Sequence, residues 1–208
     1  MTPHPRLFLA FAILFALVAA RGADAGPLTE QLKAAIDQVR NTLDDPALKA
    51  KEKTKDRRQA IRALTNGIFD WIEMAKQSLG SHWQARSDTD RGEFVTLFHD
   101  LLERSYISQI ERYSGEKIVY ASEAIDTGRA TVRITIITKQ GEEVPIDYRF
   151  ALQGDRWLIY DVVIANVSIV NNYRAQFNEI IRTSSYQELV QRMKTQELVK
   201  TAKYRREG

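Results

Sequence analysis

The sequence contains no cysteine, so disulfides, thiolate metal sites and cysteine nucleophiles are excluded. Histidine is nearly as scarce. Of three in 208 residues, only His82 and His99 lie beyond the N-terminal segment. Their spacing fits neither HExxH nor any comparable ligand pattern. Both read as surface or helix-edge residues, and no metal site is expected. GxSxG, phosphate-loop and GxGxxG motifs are missing, so no cofactor is implied. Neither sign of charge is in large excess: 30 Lys and Arg face 27 Asp and Glu. That balance lacks the clustered basic face of nucleic-acid binders, and no nucleic-acid partner is expected. Internal repeats and low-complexity stretches are absent as well.

Long apolar runs are absent with one exception, Leu7 to Ala20 (LFLAFAILFALVAA), preceded by Arg6. It is too short for the roughly 20 residues of a spanning helix. Ala23-Asp24-Ala25 follows with the small-x-small pattern of signal-peptidase sites, which predicts residues 1–25 to be a signal peptide cleaved after Ala25. With no cysteine after the run, a lipoprotein anchor is excluded. The mature product is expected to be exported and soluble. Residues 26–208 are enough for one domain with its own core, without disulfide staples. A basic tail from about residue 199, Lys200 to Arg206 (KTAKYRR), reads as solvated chain.

The first half of the mature chain has helical periodicity. Leu28, Leu32, Ile36, Val39 and Leu43 recur at three- and four-residue steps up to Asp44-Asp45-Pro46. Lys49 to Lys55 reads as a solvated connection. Ile61, Leu64, Ile68, Ile72 and Leu79 predict one further stripe, with Gly67 as a break and Gly80 at its end. A third helix, capped by Asp88 or Thr89, carries Phe94, Leu97, Phe98, Leu101, Leu102 and Ile110.

The period then changes to two. Lys117 to Glu123, Arg129 to Thr138, Glu142 to Leu152 and Arg156 to Ile164 read as strands. Turns at Lys139-Gln140-Gly141 and Gln153-Gly154-Asp155 join the last three into an antiparallel meander. A bulged turn at Gly141 would place Val132, Ile134 and Ile136 on one face with Val144, Ile146, Tyr148 and Phe150. Arg133, Thr135, Asp147 and Arg149 would take the other. The last strand, apolar on both faces, is expected in the sheet interior. Ser168 starts a helix to about Arg182, and a last helix spans about Tyr186 to Leu198. The expected fold is α+β: a curved antiparallel sheet of about four strands packed with several helices.

Catalytic candidates are few. Asp100 and Glu103 read as a solvated helix face. A Tyr148–Asp161 pair across strands is geometrically possible and would resemble a tyrosine–carboxylate acid/base site. A polar anchor in a mostly apolar site is the simpler role, and no enzyme is expected. The aromatic and branched aliphatic residues in excess could fill a core or line a cavity, and periodicity does not separate the two.

Three blocks in order resemble the MlaC / toluene-tolerance family of periplasmic lipid-binding proteins. They are Phe69-Asp70-x-x-Glu73-Met74-Ala75-Lys76-x-x-Leu79-Gly80-x-x-Trp83, then Phe94-x-x-Leu97-Phe98-x-x-Leu101-Leu102-x-x-Ser105-Tyr106, then Val144-Pro145-Ile146-Asp147-Tyr148-Arg149 with Gly154-x-x-Trp157-x-x-Tyr160-Asp161-Val162. The last continues to Asn172-Tyr173-Arg174-x-Gln176-Phe177. The resemblance implies a sheet-and-helix fold of the nuclear-transport-factor/ketosteroid-isomerase type with extra helices. It implies a periplasmic carrier of phospholipid, or of hopanoid in an HpnM-like branch, and it offers no catalytic residues. Implied partners are an inner-membrane MCE-domain protein of an ABC transporter and an outer-membrane lipoprotein–porin complex. Exposing two acyl chains to water would cost on the order of 20 kcal/mol at about 0.8 kcal/mol per methylene, so such a carrier needs a large apolar cavity. Its expected wall is Val132, Ile134, Ile136, Val144, Ile146, Tyr148 and Phe150, opposed by Phe94, Phe98, Leu101 and Tyr106.

Overall fold

The computed structural model describes residues 26–199; the expected signal segment and the basic tail lie outside them. Helix α1 (Pro27–Asp44) starts with proline at its first position, where the missing N–H is harmless. Its N-terminus is closed by a distant side chain: Thr29 N–H and Oγ1 both donate to Glu123 Oε2 at 2.7 Å. Lys49 to Lys55, expected as a plain connection, is instead mostly helical. A short α2 (Pro46–Lys49), capped by Asp45, leads through a 3-10 turn (Lys51–Lys53) into α3 (Thr54–Ile68).

The expected single stripe from Ile61 to Leu79 is two helices, α3 and α4 (Trp71–Leu79). The break falls at Phe69-Asp70 rather than Gly67. Phe69 is extended, Asp70 N–H donates to Ile159 O at 2.8 Å, and the Asp70 side chain accepts from Glu73 N–H at 2.9 Å. That cap resets the helical phase, so Ile72 turns to solvent at 63% exposure. Gly80 ends α4 with φ +59°, where a Cβ would meet Arg174 Nε at 2.8 Å. Helix α5 (Asp88–Glu111) is capped by Ser87, not by Asp88 or Thr89. Ser87 Oγ accepts from Asp90 N–H, and Asp90 accepts from Ser87 N–H, a reciprocal box.

The sheet has order β1-β2-β3-β4-β5, all antiparallel, with strands Lys117–Asp126, Arg129–Ile137, Glu143–Gln153, Arg156–Ile164 and Val167–Ser168. Gly141, at φ +81°, makes the expected turn. The register pairs Val132 with Tyr148, Ile134 with Ile146 and Ile136 with Val144. Arg133 and Asp147 face each other on the opposite side, Nε to Oδ1 at 2.6 Å. Bulges at Tyr120/Ser122 and opposite Arg149/Phe150 increase the local twist and bend the outer strands. β4 is flanked by β3 along its length but by β5 only at Val163 and Ile164. Helices α6 (Ile169–Thr183, capped by Ser168) and α7 (Tyr186–Lys194) complete the fold, and a 3-10 turn covers Glu197–Val199.

The buried core runs between one sheet face and α4, α5, α6 and α7. Phe94 and Phe98 of α5 meet Phe177 edge-on at 5.7 and 5.9 Å, and Tyr173 lies edge-on to Phe98 at 5.7 Å. These are the favoured aromatic geometries.

Candidate functional site

The same sheet face divides into two halves. At one end Ala130, Val132, Phe150 and Ile159 are covered by the core and fully packed. At the other, Ile118, Ile134, Ile136, Ile146, Tyr148, Val162 and Ile164 border a cavity of about 400 Å3. Its remaining walls come from Leu32, Ile36, Val39 and Leu43 of α1, Ile61, Thr65 and Ile68 of α3, and Leu102, Tyr106, Ile107 and Ile110 of α5. The volume is in the range of ligand pockets, and the lining is overwhelmingly apolar.

Helix α5 is apolar on two sides, which explains its double role. Phe94, Phe98 and Leu101 recur at three- and four-residue steps toward α6 and α7. Leu102, Tyr106 and Ile110 form a second stripe, facing the cavity. The α1 stripe Leu32, Ile36, Val39 and Leu43 closes the far wall.

Charged groups line the cavity at the α3–α5 seam, where they are paired. Arg62 Nη1 binds Asp100 at 2.7 Å and Glu103 at 2.6 Å. Glu111 takes Arg58 at 2.7 Å and Arg57 at 2.9 Å. The hydrogen bond from Arg58 is the main reason its carboxyl is held below the usual carboxylate range. Arg40 lies 5.5 Å above the Tyr113 ring and also borders the cavity.

His99 corrects the expectation of a surface histidine. It is 8% exposed, lines the cavity and stacks on Trp71 at 3.9 Å. Burial, aided by the positive Arg62, pushes its imidazole down to about 4, so it is neutral at pH 7. Trp71 Nε1 is buried with no hydrogen-bond partner. Tyr148 keeps some surface, turned to the cavity. Desolvation, with a smaller push from Tyr120, raises its phenol to about 12 and keeps it neutral.

A Tyr148–Asp161 pair does not form. The register sets Tyr148 opposite Val162 and Asp161 opposite Arg149. Asp161 accepts from Ser168 Oγ at 2.7 Å, Val170 N–H at 3.1 Å and Arg149 at 3.2 Å. It is a structural anchor for the start of α6. Among the described residues no three His, Asp or Glu side chains gather as a metal site would require. His82 Nε2 meets Asn178 Oδ1 at 3.0 Å, away from the cavity.

Of the eleven residues expected as a cavity wall, Tyr106, Ile134, Ile136, Ile146 and Tyr148 come together around the cavity. Phe94, Phe98, Leu101, Val132 and Phe150 are placed in the filled core instead, and Val144 packs against that core from the sheet margin. The reason is physical: one strand face serves both halves of the sheet, and alternation does not tell them apart.

A sequence model for the family described as MlaC protein matches residues 33–195. The chain belongs to the MlaC family. Within that family, the intermembrane phospholipid transport system binding protein MlaC of Haemophilus influenzae is 24% identical over 170 residues, 78% of each chain. Among solved structures, a phospholipid-binding protein from Ralstonia solanacearum in complex with a phospholipid superposes with a TM-score of 0.71. It is 24% identical, covering 83% of this chain and 96% of that one, and establishes a shared fold. The MlaC match begins within α1, after Leu32, and takes in the rest of the cavity walls.

Residues that sequence reasoning missed include Leu32, Ile36, Val39 and Leu43 of α1, Ile61 and Ile68 of α3, Leu102 and Ile110 of α5, and Trp71 and His99. The stripes of α1 and α3 were visible as amphipathic helices. Which surface they covered was not.

Proposed function

We propose that this MlaC-family protein is a periplasmic lipid carrier that holds phospholipid acyl chains in the cavity between sheet and helices. The observation that carries the reading is an apolar cavity of about 400 Å3 left open by an otherwise filled core. Each acyl methylene moved from water into such a lining gains about 0.8 kcal/mol. Binding and release need no covalent step, and this reading assigns no catalytic residue. The pairing of Arg58, Arg62 and Glu103, which border the cavity, supports it further.

On the same reading, residues 1–25 direct export and residues 26–208 are one lipid-binding domain. Among the described residues no helix is long and apolar enough to cross a membrane, which suits a shuttle. Its partners are an inner-membrane MCE-domain protein of an ABC transporter and an outer-membrane lipoprotein–porin complex, as the family relationship suggests. The test is native mass spectrometry of the purified protein followed by solvent extraction. A stoichiometric phospholipid is expected. A released hopanoid would change the cargo, and a protein that stays empty after incubation with phospholipid vesicles would overturn the reading.

A further inference from the structure

The apolar cavity has a polar neighbour. A cleft of about 480 Å3 lies between the C-terminal end of α1 and the turn that leads from α5 to β1. It shares Arg40, Leu43 and Tyr113 with the cavity, so the two hollows meet at these side chains. Arg40, Lys49 and Arg57 border the cleft, against Asp44 and Glu111. Glu111 is already bound by both Arg57 and Arg58.

The cations differ in how firmly they are held. Arg57 donates to Glu111 at 2.9 Å and to Leu48 O at 2.7 Å, and its side chain is mostly buried. Arg40 has one longer contact, to Asp37 at 3.3 Å, with both side chains nearly half exposed. Lys49 reaches Asp44 only at 3.5 Å, and both are well exposed. Such surface pairs are weak and exchange readily for a better acceptor. The Arg40 guanidinium rests over the Tyr113 ring, at the boundary between apolar and polar space.

We propose that this cleft is the headgroup site, where Arg40, seconded by Lys49, binds the phosphate ester of a glycerophospholipid whose chains occupy the cavity. The inference rests on the carrier reading and deepens it by placing the lipid's phosphate. A phosphate cannot follow the acyl chains into the apolar cavity without losing its hydrogen bonds. It stops where the apolar lining ends, and the guanidinium at that point presents the paired donors that a phosphate oxygen pair accepts. A free phosphate would satisfy the same donors. Adjacency to the cavity across Leu43 and Tyr113 selects the lipid source. A polycyclic lipid without phosphate would leave Arg40 without this acceptor.

The test compares retention of phosphatidylglycerol and of diacylglycerol with the same acyl chains, both presented in vesicles to the purified, delipidated protein. Arg40→Gln should lower phosphatidylglycerol retention about tenfold, the effect of one charge-assisted bond, and lower diacylglycerol retention far less. Lys49→Gln should do the same more weakly. Inorganic phosphate at equal concentration should displace neither lipid. Unchanged phosphatidylglycerol retention in both variants, or an equal fall for the two lipids, would overturn the headgroup site. Displacement by inorganic phosphate would assign the cleft to free anions and overturn it too. A wild-type protein that retains neither lipid refutes the carrier reading itself, a result distinct from all of these.

Discussion

Trp71 and His99 stack with ring centroids 3.9 Å apart and planes 17° from parallel, forming one panel of the cavity wall. A protonated imidazole is disfavoured in that position, because burial and Arg62 both oppose the charge. The imidazole titrates near 4 in the fold and near 6.5 when unfolded. Below about pH 6.5 the unfolded chain therefore binds a proton that the folded chain refuses. Stability falls as pH drops from 6.5 toward 4 and levels off below, with a slope of at most about 1.4 kcal/mol per pH unit from this group. Urea denaturation across that range should show the slope, and His99→Phe should remove this contribution to it. An unchanged slope in the variant would refute the assignment.

Ile146 sits on β3 at 7% exposure, in the cavity half of the sheet. Ile146→Glu should abolish phospholipid retention while the far-ultraviolet circular dichroism stays native. A folded variant that still retains lipid would remove Ile146 from the wall.

Phe98 is the contrasting position, fully buried among Phe94, Tyr173 and Phe177 and outside the cavity. Phe98→Ala should lower stability by about 3–5 kcal/mol, measured by urea denaturation. Lipid affinity per folded molecule should remain that of the wild type.

Glu123 closes the N-terminus of α1 through two bonds to Thr29, tying a cavity-wall helix to the edge strand. Glu123→Ala should cost about 1–3 kcal/mol of stability. Hydrogen exchange should quicken first in the opening turn of α1, and uniform quickening across the sheet would contradict this role.

Asp161 is 2% exposed and holds Ser168, Val170 and Arg149 at the start of α6. Asp161→Asn should cost about 2 kcal/mol, since it weakens charge-assisted bonds without emptying the site. Thermal melting measures the loss. Lipid retention by the folded variant should be unaltered.

Much of this architecture was legible in the residues. The Gly141 turn sets the β2–β3 register, and with it the face shared by Ile134, Ile146 and Tyr148. Alternation then assigns Arg133 and Asp147 to the other side, where they pair. The phase change at Phe69-Asp70 was harder to see, because it depends on a hydrogen bond to Ile159, distant in sequence. His99 looked like a helix-edge polar residue because nothing near it in sequence announces Trp71 across the α4–α5 contact.

Periodicity and turn chemistry are local properties, carried by a few consecutive residues, so the sequence by itself determined the longer helices in outline, the meander and the two faces of the sheet. Which half of the inner face is filled and which stays hollow was decided only in the tertiary structure. Phe150 and Tyr148 are both aromatic and two residues apart on one face, yet one is fully packed in the core and the other is partly exposed and borders the cavity. The difference comes from where α1, α3 and the second stripe of α5 stand off the sheet, and that placement is a balance of long-range packing that no local pattern encodes.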